Sequence, residues 1–146
     1  MDLFKFYTVA IIFFVATFSA SAEEVFIDAV PLEADKAFVV DHIVAGPNEV
    51  VVRLQISENY YLYKEKFIFR SIDFHIVDIN LPPAAEKMDE FFGLSEVYFN
   101  VMETTLQISP KISGTLNGIL EVAYQGCWEG GVCYPLTRKY LQIREL

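Results

Sequence analysis

The chain has 146 residues, with 20 acidic and 11 basic side chains and a formal net charge of −9. Nucleic acid and anionic lipid surfaces bind through Lys and Arg that neutralise phosphate, so this balance argues against both as partners. Two cysteines are too few for a cystine-stapled mini-protein, and the many Phe, Tyr, Val and Ile residues must supply a hydrophobic core instead.

The first segment is a targeting signal by its pattern. Lys5 gives a weakly positive start, Thr8 to Phe18 is apolar, and Ala20-Ser21-Ala22 is a small-residue cleavage site. The apolar run is shorter than the roughly 20 residues that cross a bilayer. Later apolar runs are all broken by charge. Residues 1–22 are therefore expected to be a signal peptide, and residues 23–146 a single exported domain. Its net charge stays at −9, because Asp2 and Lys5 are removed together.

The remainder reads as strands. Ala37–Val44 and a second run are separated by the turn Gly46-Pro47-Asn48. In that second run Val50, Val52, Leu54 and Ile56 alternate with Val51, Arg53, Gln55 and Ser57, the period-2 pattern of a half-buried strand. Tyr60–Lys64 and Phe67–Ile76 are further extended runs. Leu81-Pro82-Pro83 stops pairing, since proline lacks the ladder N–H. Ala84 to Met88 is expected to form at most one turn of helix. Thr104–Ile108, Gly118–Tyr124 and Arg138–Ile143 complete seven to nine short strands. That count in one exported domain predicts an all-β fold, an immunoglobulin-like antiparallel β-sandwich.

The two cysteines lie in Tyr124-Gln125-Gly126-Cys127-Trp128-Glu129-Gly130-Gly131-Val132-Cys133-Tyr134-Pro135. They are too close in sequence to be a widely separated inter-sheet pair, so a disulfide between them closes a local hairpin. Gly118–Gly126 runs out, Trp128–Gly131 turns, and Val132–Ile143 returns. Closing so small a loop gives about 2–2.5 kcal/mol in the chain-entropy model, the low end for disulfides. Composition and spacing favour a structural cystine, because most exported disulfides are structural, and leave a redox pair open. His42 and His75 stand far apart without metal-ligand spacing and read as non-functional. Neither a metal nor a cofactor is expected.

The cysteine segment closely resembles the active-site segment of the N-terminal periplasmic domain of the thiol:disulfide interchange protein DsbD. Two further blocks match in order. Tyr60-Tyr61-Leu62-Tyr63-Lys64 is similar to that domain's tyrosine-rich strand. Asp89-Glu90-Phe91-Phe92-Gly93-Leu94-Ser95-Glu96-Val97-Tyr98 is similar to its cap loop and the strand that follows. Pro31 to Phe38 is a looser match to its opening. The resemblance shifts the balance to the redox reading. It implies a periplasmic domain that forms part of a protein-disulfide reductase system. Electrons would arrive from a thioredoxin-like C-terminal donor domain, itself fed through a membrane electron-transfer domain. They would leave to thioredoxin-fold acceptors, a DsbC-type isomerase and proteins of cytochrome c maturation. Cys133 would form mixed disulfides with partners and Cys127 would resolve them. Phe91 would be the cap residue that shields the pair, and Tyr61, Tyr63, Asp89 and Glu90 would line the site.

Elementary thiol chemistry is compatible with those roles. Exchange needs a thiolate to attack a disulfide sulfur and a second thiol to release the mixed species. Acidic neighbours and an apolar lid both disfavour thiolate, which suits a carrier kept inert until a partner displaces the lid. The chain departs from the family pattern at Val132, at Leu136 and in the bulkier, more acidic Trp128-Glu129 loop, and these changes bear on partner identity. It also carries neither the membrane domain nor the thioredoxin-like domain, and so reads as an N-terminal piece or a free-standing relative. Two other readings keep the fold: a secreted binding module with a structural cystine, and a chaperone-like adaptor that holds a partner through the aromatic loop.

Overall fold

The computed structural model describes residues 30–144 apart from 113 and 115. The expected signal peptide, residues 1–22, lies outside the described residues. A single helical turn, α1 (Ala34–Ala37), leads into the first strand. The strands are β1 (Phe38–Gly46), β2 (Glu49–Ile56), β3 (Tyr60–Tyr63), β4 (Ile68–Arg70), β5 (Phe74–Asn80) and β6 (Ala85–Asp89). They continue with β7 (Gly93–Tyr98), β8 (Val101–Pro110), β9 (Asn117–Tyr124), β10 (Gly126–Trp128), β11 (Val132–Cys133) and β12 (Thr137–Arg144).

These strands form three antiparallel sheets, ordered β1-β2-β8-β5, β11-β10-β3-β7-β6 and β12-β9-β4. The fold is the expected all-β, immunoglobulin-like sandwich. Alternation in β2 works as the sequence implies: Val50, Val52, Leu54 and Ile56 are buried, and they meet Phe38, Phe74, Met102, Leu106, Leu120 and Val122 in the main core. Each such side chain contributes about 1.5–3 kcal/mol when taken from water. A few of them outweigh what the cystine supplies, so the sandwich does not depend on it.

Three local expectations change. Ala85–Asp89 is a strand, not a helical turn, pairing antiparallel with β7 from Ala85↔Val97 to Asp89↔Gly93. The prolines at 82 and 83 favour extended backbone before it, and five residues cannot repay helix nucleation when a partner strand offers its hydrogen bonds. The run Phe67–Ile76 is broken. Ser71 Oγ accepts from the amides of Asp73 and Phe74 and donates to the Ile119 carbonyl, turning the chain from the β4 sheet to the β5 sheet. The cysteine hairpin is likewise split between two sheets. Its outer part is β9 with β12, and its tip is β10 with β11. Breaks of this kind raise the number of strands above the seven to nine expected.

Candidate functional site

Strand β3 is buried on both faces. Its alternate residues serve different clusters, because successive strand side chains point to opposite sides. Tyr60 and Leu62 enter the main core. Tyr61 and Tyr63 face the other way and pack with Val97 and Cys127, against Phe99 and Cys133. Register makes this second cluster: Cys127 lies opposite Tyr61 on one side of β3, and Val97 lies opposite Tyr63 on the other.

Cys127 and Cys133 are cross-strand partners joined by a disulfide, with Cα atoms 4.0 Å apart. They are not equivalent. Cys127 is fully buried, while Cys133 is partly accessible. The close approach of β10 to β3 requires glycine at 126. A Cβ there would stand 2.5 Å from the Tyr61 carbonyl oxygen and 2.6 Å from the Phe38 ring. Gly131, at φ +92°, completes the three-residue turn and donates its amide to the Trp128 carbonyl at 3.1 Å.

Tyr63, Tyr61 and Asp89 lie between the sulfurs and the loop that joins β6 to β7. The Tyr63 hydroxyl lies 3.1 Å from Cys127 Sγ and 3.8 Å from Cys133 Sγ. The Tyr61 hydroxyl donates to Asp89 Oδ2. Asp89 Oδ1 accepts the amides of Phe91 and Phe92 at 2.8 and 2.9 Å, which holds the loop between β6 and β7 in an Asx turn. One buried carboxylate therefore fastens the β6–β7 loop on one side and Tyr61 on the other. Burial alone would raise the Asp89 pKa. The Tyr61 hydrogen bond and the two amides outweigh it, so the carboxyl titrates below its ordinary range. Burial, with Asp89 beside it, pushes Tyr61 up to about 12. Tyr63 is raised further, first by burial and then by Tyr61 and Asp89. Both phenols are thus neutral donors at physiological pH.

Of the expected site residues, Cys127, Cys133, Tyr61, Tyr63 and Asp89 come together directly. Glu90 reaches the turn, where its Oε1 would sit 3.4 Å from a Cβ added at Gly131. Phe91 and Phe92 are about half exposed, at 48% and 47%, so neither is a core residue. Phe92 makes the aromatic contact, its ring edge-on to Tyr63 at 5.0 Å, with the Lys66 ammonium 4.8 Å from its centroid. Sequence reasoning passed over Phe92 as a site residue, although it stands in the same matched block. It also missed Lys87. That ammonium pairs with Glu129 at 3.2 Å and lies 5.0 Å from the Tyr61 ring centroid, linking the β6–β7 hairpin to the cysteine turn. Only its position two residues before the matched block that starts at Asp89 hinted at this.

The family model described as "Thiol:disulfide interchange protein DsbD, N-terminal" matches residues 28–145. The DsbD of Escherichia coli K12 is 32% identical over 113 residues, which cover 77% of this chain and 19% of that protein. DsbD 2 of Pseudomonas aeruginosa is 35% identical over 116 residues, 80% of this chain and 18% of the relative. The chain thus spans about a fifth of the length of these curated relatives. The crystal structure of the Neisseria meningitidis DsbD N-terminal domain in the reduced form superposes with a TM-score of 0.66 at 29% identity, covering 78% of this chain and 90% of that one. The same type of domain in its complex with the PilB N-terminal domain gives 0.62 at 28% identity, over 76% and 85% of the two chains.

Proposed function

The chain belongs to the family of DsbD N-terminal domains, and from that premise we propose that Cys127 and Cys133 form a redox pair for thiol–disulfide exchange with thioredoxin-fold partners in the periplasm. In the reduced domain the Cys133 thiolate attacks the partner's disulfide. A mixed disulfide forms and one partner sulfur leaves as thiolate. The Cys127 thiolate then attacks Cys133 Sγ and expels the partner's second sulfur. Two electrons have passed to the partner, and the Cys127–Cys133 disulfide is restored. A thioredoxin-like donor domain reverses the sequence to recharge the pair. DsbC-type isomerases and cytochrome c maturation proteins are the acceptors we assign, and the signal peptide at residues 1–22 delivers the domain to them.

The observation that carries this reading is the unequal exposure of the two sulfurs. Cys133 is within reach of a partner, and Cys127 is sealed beneath the Tyr61–Tyr63 cluster. The Tyr63 hydroxyl is placed to donate to a Cys127 thiolate as it forms, which favours that thiolate. The loop Glu90–Phe92, pinned by Asp89, is the cap in this scheme, with Phe91 as the shield. A related domain's complex with the PilB N-terminal domain supports a protein as the exchange partner.

Cysteine variants test the scheme. Cys127→Ala should accumulate a covalent complex with a thioredoxin-fold partner that lacks its own resolving cysteine, and Cys133→Ala should accumulate little. The opposite pattern would exchange the two roles. Failure of both variants, together with a reduction potential below about −300 mV, would leave the cystine purely structural.

A further inference from the structure

A second site lies outside the cysteine cluster. A groove of about 620 Å³ opens where the outer face of the β12-β9-β4 sheet meets the start of β5. Its floor and walls are mainly aliphatic and aromatic, with Ile72, Ile76, Ile119 and Tyr140 among them. Ile72 is 83% exposed and Tyr140 66%, and with Ile119 they line one groove, the grouped kind of apolar exposure that marks a binding surface. The volume falls within the roughly 300–1,000 Å³ of small-molecule sites.

Charge sets the class of ligand. In this acidic chain most described cations hold a carboxylate, as Arg53 does with Glu103, Lys64 with Glu96, Lys87 with Glu129 and Lys139 with Asp35. Arg70 and Lys111 hold none among the described residues, and both line the groove. Among the described residues the Lys111 ammonium reaches only the Ser71 carbonyl, at 3.3 Å. Glu121 also lines the groove and is the register neighbour of Arg70, but its carboxylate is taken by Arg138 at 3.2 Å. Two cations with no carboxylate partner among the described residues, beside exposed aliphatic surface, present a complement to a molecule with one anionic head and one apolar tail. Arg supplies the planar fork that matches carboxylate or phosphate oxygens, and Lys adds a point charge.

We propose that this groove binds a single-chain anionic amphiphile, its head between Arg70 and Lys111 and its tail along Ile72, Ile76, Ile119 and Tyr140. The local site runs against the chain's overall acidity, so binding is directed by this pair of cations and not by net charge.

Titration of the intact domain, followed by NMR below the amphiphile's micelle concentration, tests the assignment. Laurate should bind saturably with one-to-one stoichiometry and shift the signals of Ile72, Ile76 and Ile119. Dodecyl phosphate distinguishes a phosphate from a carboxylate head, and tighter binding of either one identifies the preferred head. Butyrate, lacking the tail, should bind at least tenfold more weakly than laurate. Dodecyltrimethylammonium, with the same tail and opposite charge, should not saturate the site. The Arg70→Ala/Lys111→Ala double variant should weaken laurate at least tenfold. Both side chains are at the surface, so the fold should survive, and an unchanged β-sheet spectrum checks that. Equal binding of the cationic and anionic amphiphiles, unchanged affinity in the double variant, shifts confined to other surfaces, or no saturable binding of either anionic amphiphile would each overturn the proposal.

Discussion

The main core and the cysteine cluster meet at β3. In the main core the Tyr60 hydroxyl accepts the Leu32 amide at 2.6 Å and the Tyr98 hydroxyl donates to the Pro82 carbonyl at 2.8 Å, but a third tyrosine is left over. In the main core Tyr124 is fully buried, edge-on to Phe38 at 5.9 Å, and its hydroxyl has no hydrogen-bond partner among the described residues. Burial, with Asp35 a lesser influence, pushes that phenol up to about 12. In the cysteine cluster both tyrosine hydroxyls are engaged, since Tyr61 holds Asp89 and Tyr63 sits over the sulfurs. An unpaired buried hydroxyl costs about 1–3 kcal/mol, so the core tolerates one for the sake of the ring around it. The cluster instead arranges polar atoms around the disulfide. The difference teaches where substitution should change stability and where it should change reactivity.

The largest expected effect lies at the joint between the two regions. Gly126→Ala forces a Cβ against the Tyr61 backbone and the Phe38 ring. Overpacking there should cost about 3 kcal/mol or more and separate β10 from β3, disturbing both clusters at once. A urea midpoint equal to that of the parent would show that the backbones can part without loss.

Asp89 comes next, because one carboxylate serves cap and floor. Asp89→Asn should cost about 1–3 kcal/mol at pH 7, since it weakens hydrogen bonds to a charged acceptor. The folded Asp89 pKa is depressed, so its contribution is complete above the unfolded value of about 3.9 and is lost as pH falls through the lower folded value. The stability gap between parent and Asp89→Asn should accordingly be full at pH 6–7 and narrow as the pH falls below the unfolded value. A gap that persists in acid would mean the substitution acts through packing.

The cap phenylalanines sharpen the cluster side of the comparison. Phe91→Ala should speed alkylation of the reduced pair severalfold with little change in the urea midpoint, if Phe91 is the shield. Phe92→Ala removes the ring that rests on Tyr63 and serves as the parallel measurement. Unchanged kinetics in Phe91→Ala with acceleration in Phe92→Ala would transfer the shielding role by one residue.

The smallest effect is expected in the main core. Tyr124→Phe deletes a hydroxyl with no partner among the described residues and keeps the ring, so stability should rise by about 1 kcal/mol, the low end of that cost. Alkylation kinetics should not move. A loss of more than that amount would reveal a partner for the hydroxyl.

Much of this was legible in the chain. The alternation of Val50, Val52, Leu54 and Ile56 announced a half-buried strand, because side-chain direction in a strand is a local property of period 2. The spacing of Cys127 and Cys133 around Gly130-Gly131 announced a hairpin tip, since a short glycine-containing loop between extended runs is also a local signal. The matched blocks around Tyr61, Asp89 and Cys127 named residues that the fold then brought together. Ala84 to Met88 misled because a five-residue segment carries no clear period, and its partner strand decided it. Phe91 and Phe92 are neighbours of equal hydrophobicity, and composition cannot say which ring turns toward Tyr63.

The sequence by itself determined the β class, the strand faces and the two sulfurs' proximity, all of which follow from residue order over a few positions. Only the tertiary structure decided that β10 pairs with β3, joining residues more than sixty positions apart, and that Tyr61 and Tyr63 therefore close over Cys127 while Cys133 stays accessible. It alone decided that Arg70 and Lys111 share a groove with neither cation held by a carboxylate among the described residues. These features depend on which faces meet across non-local pairings, and the energy that selects those pairings comes from burial summed over the whole sandwich.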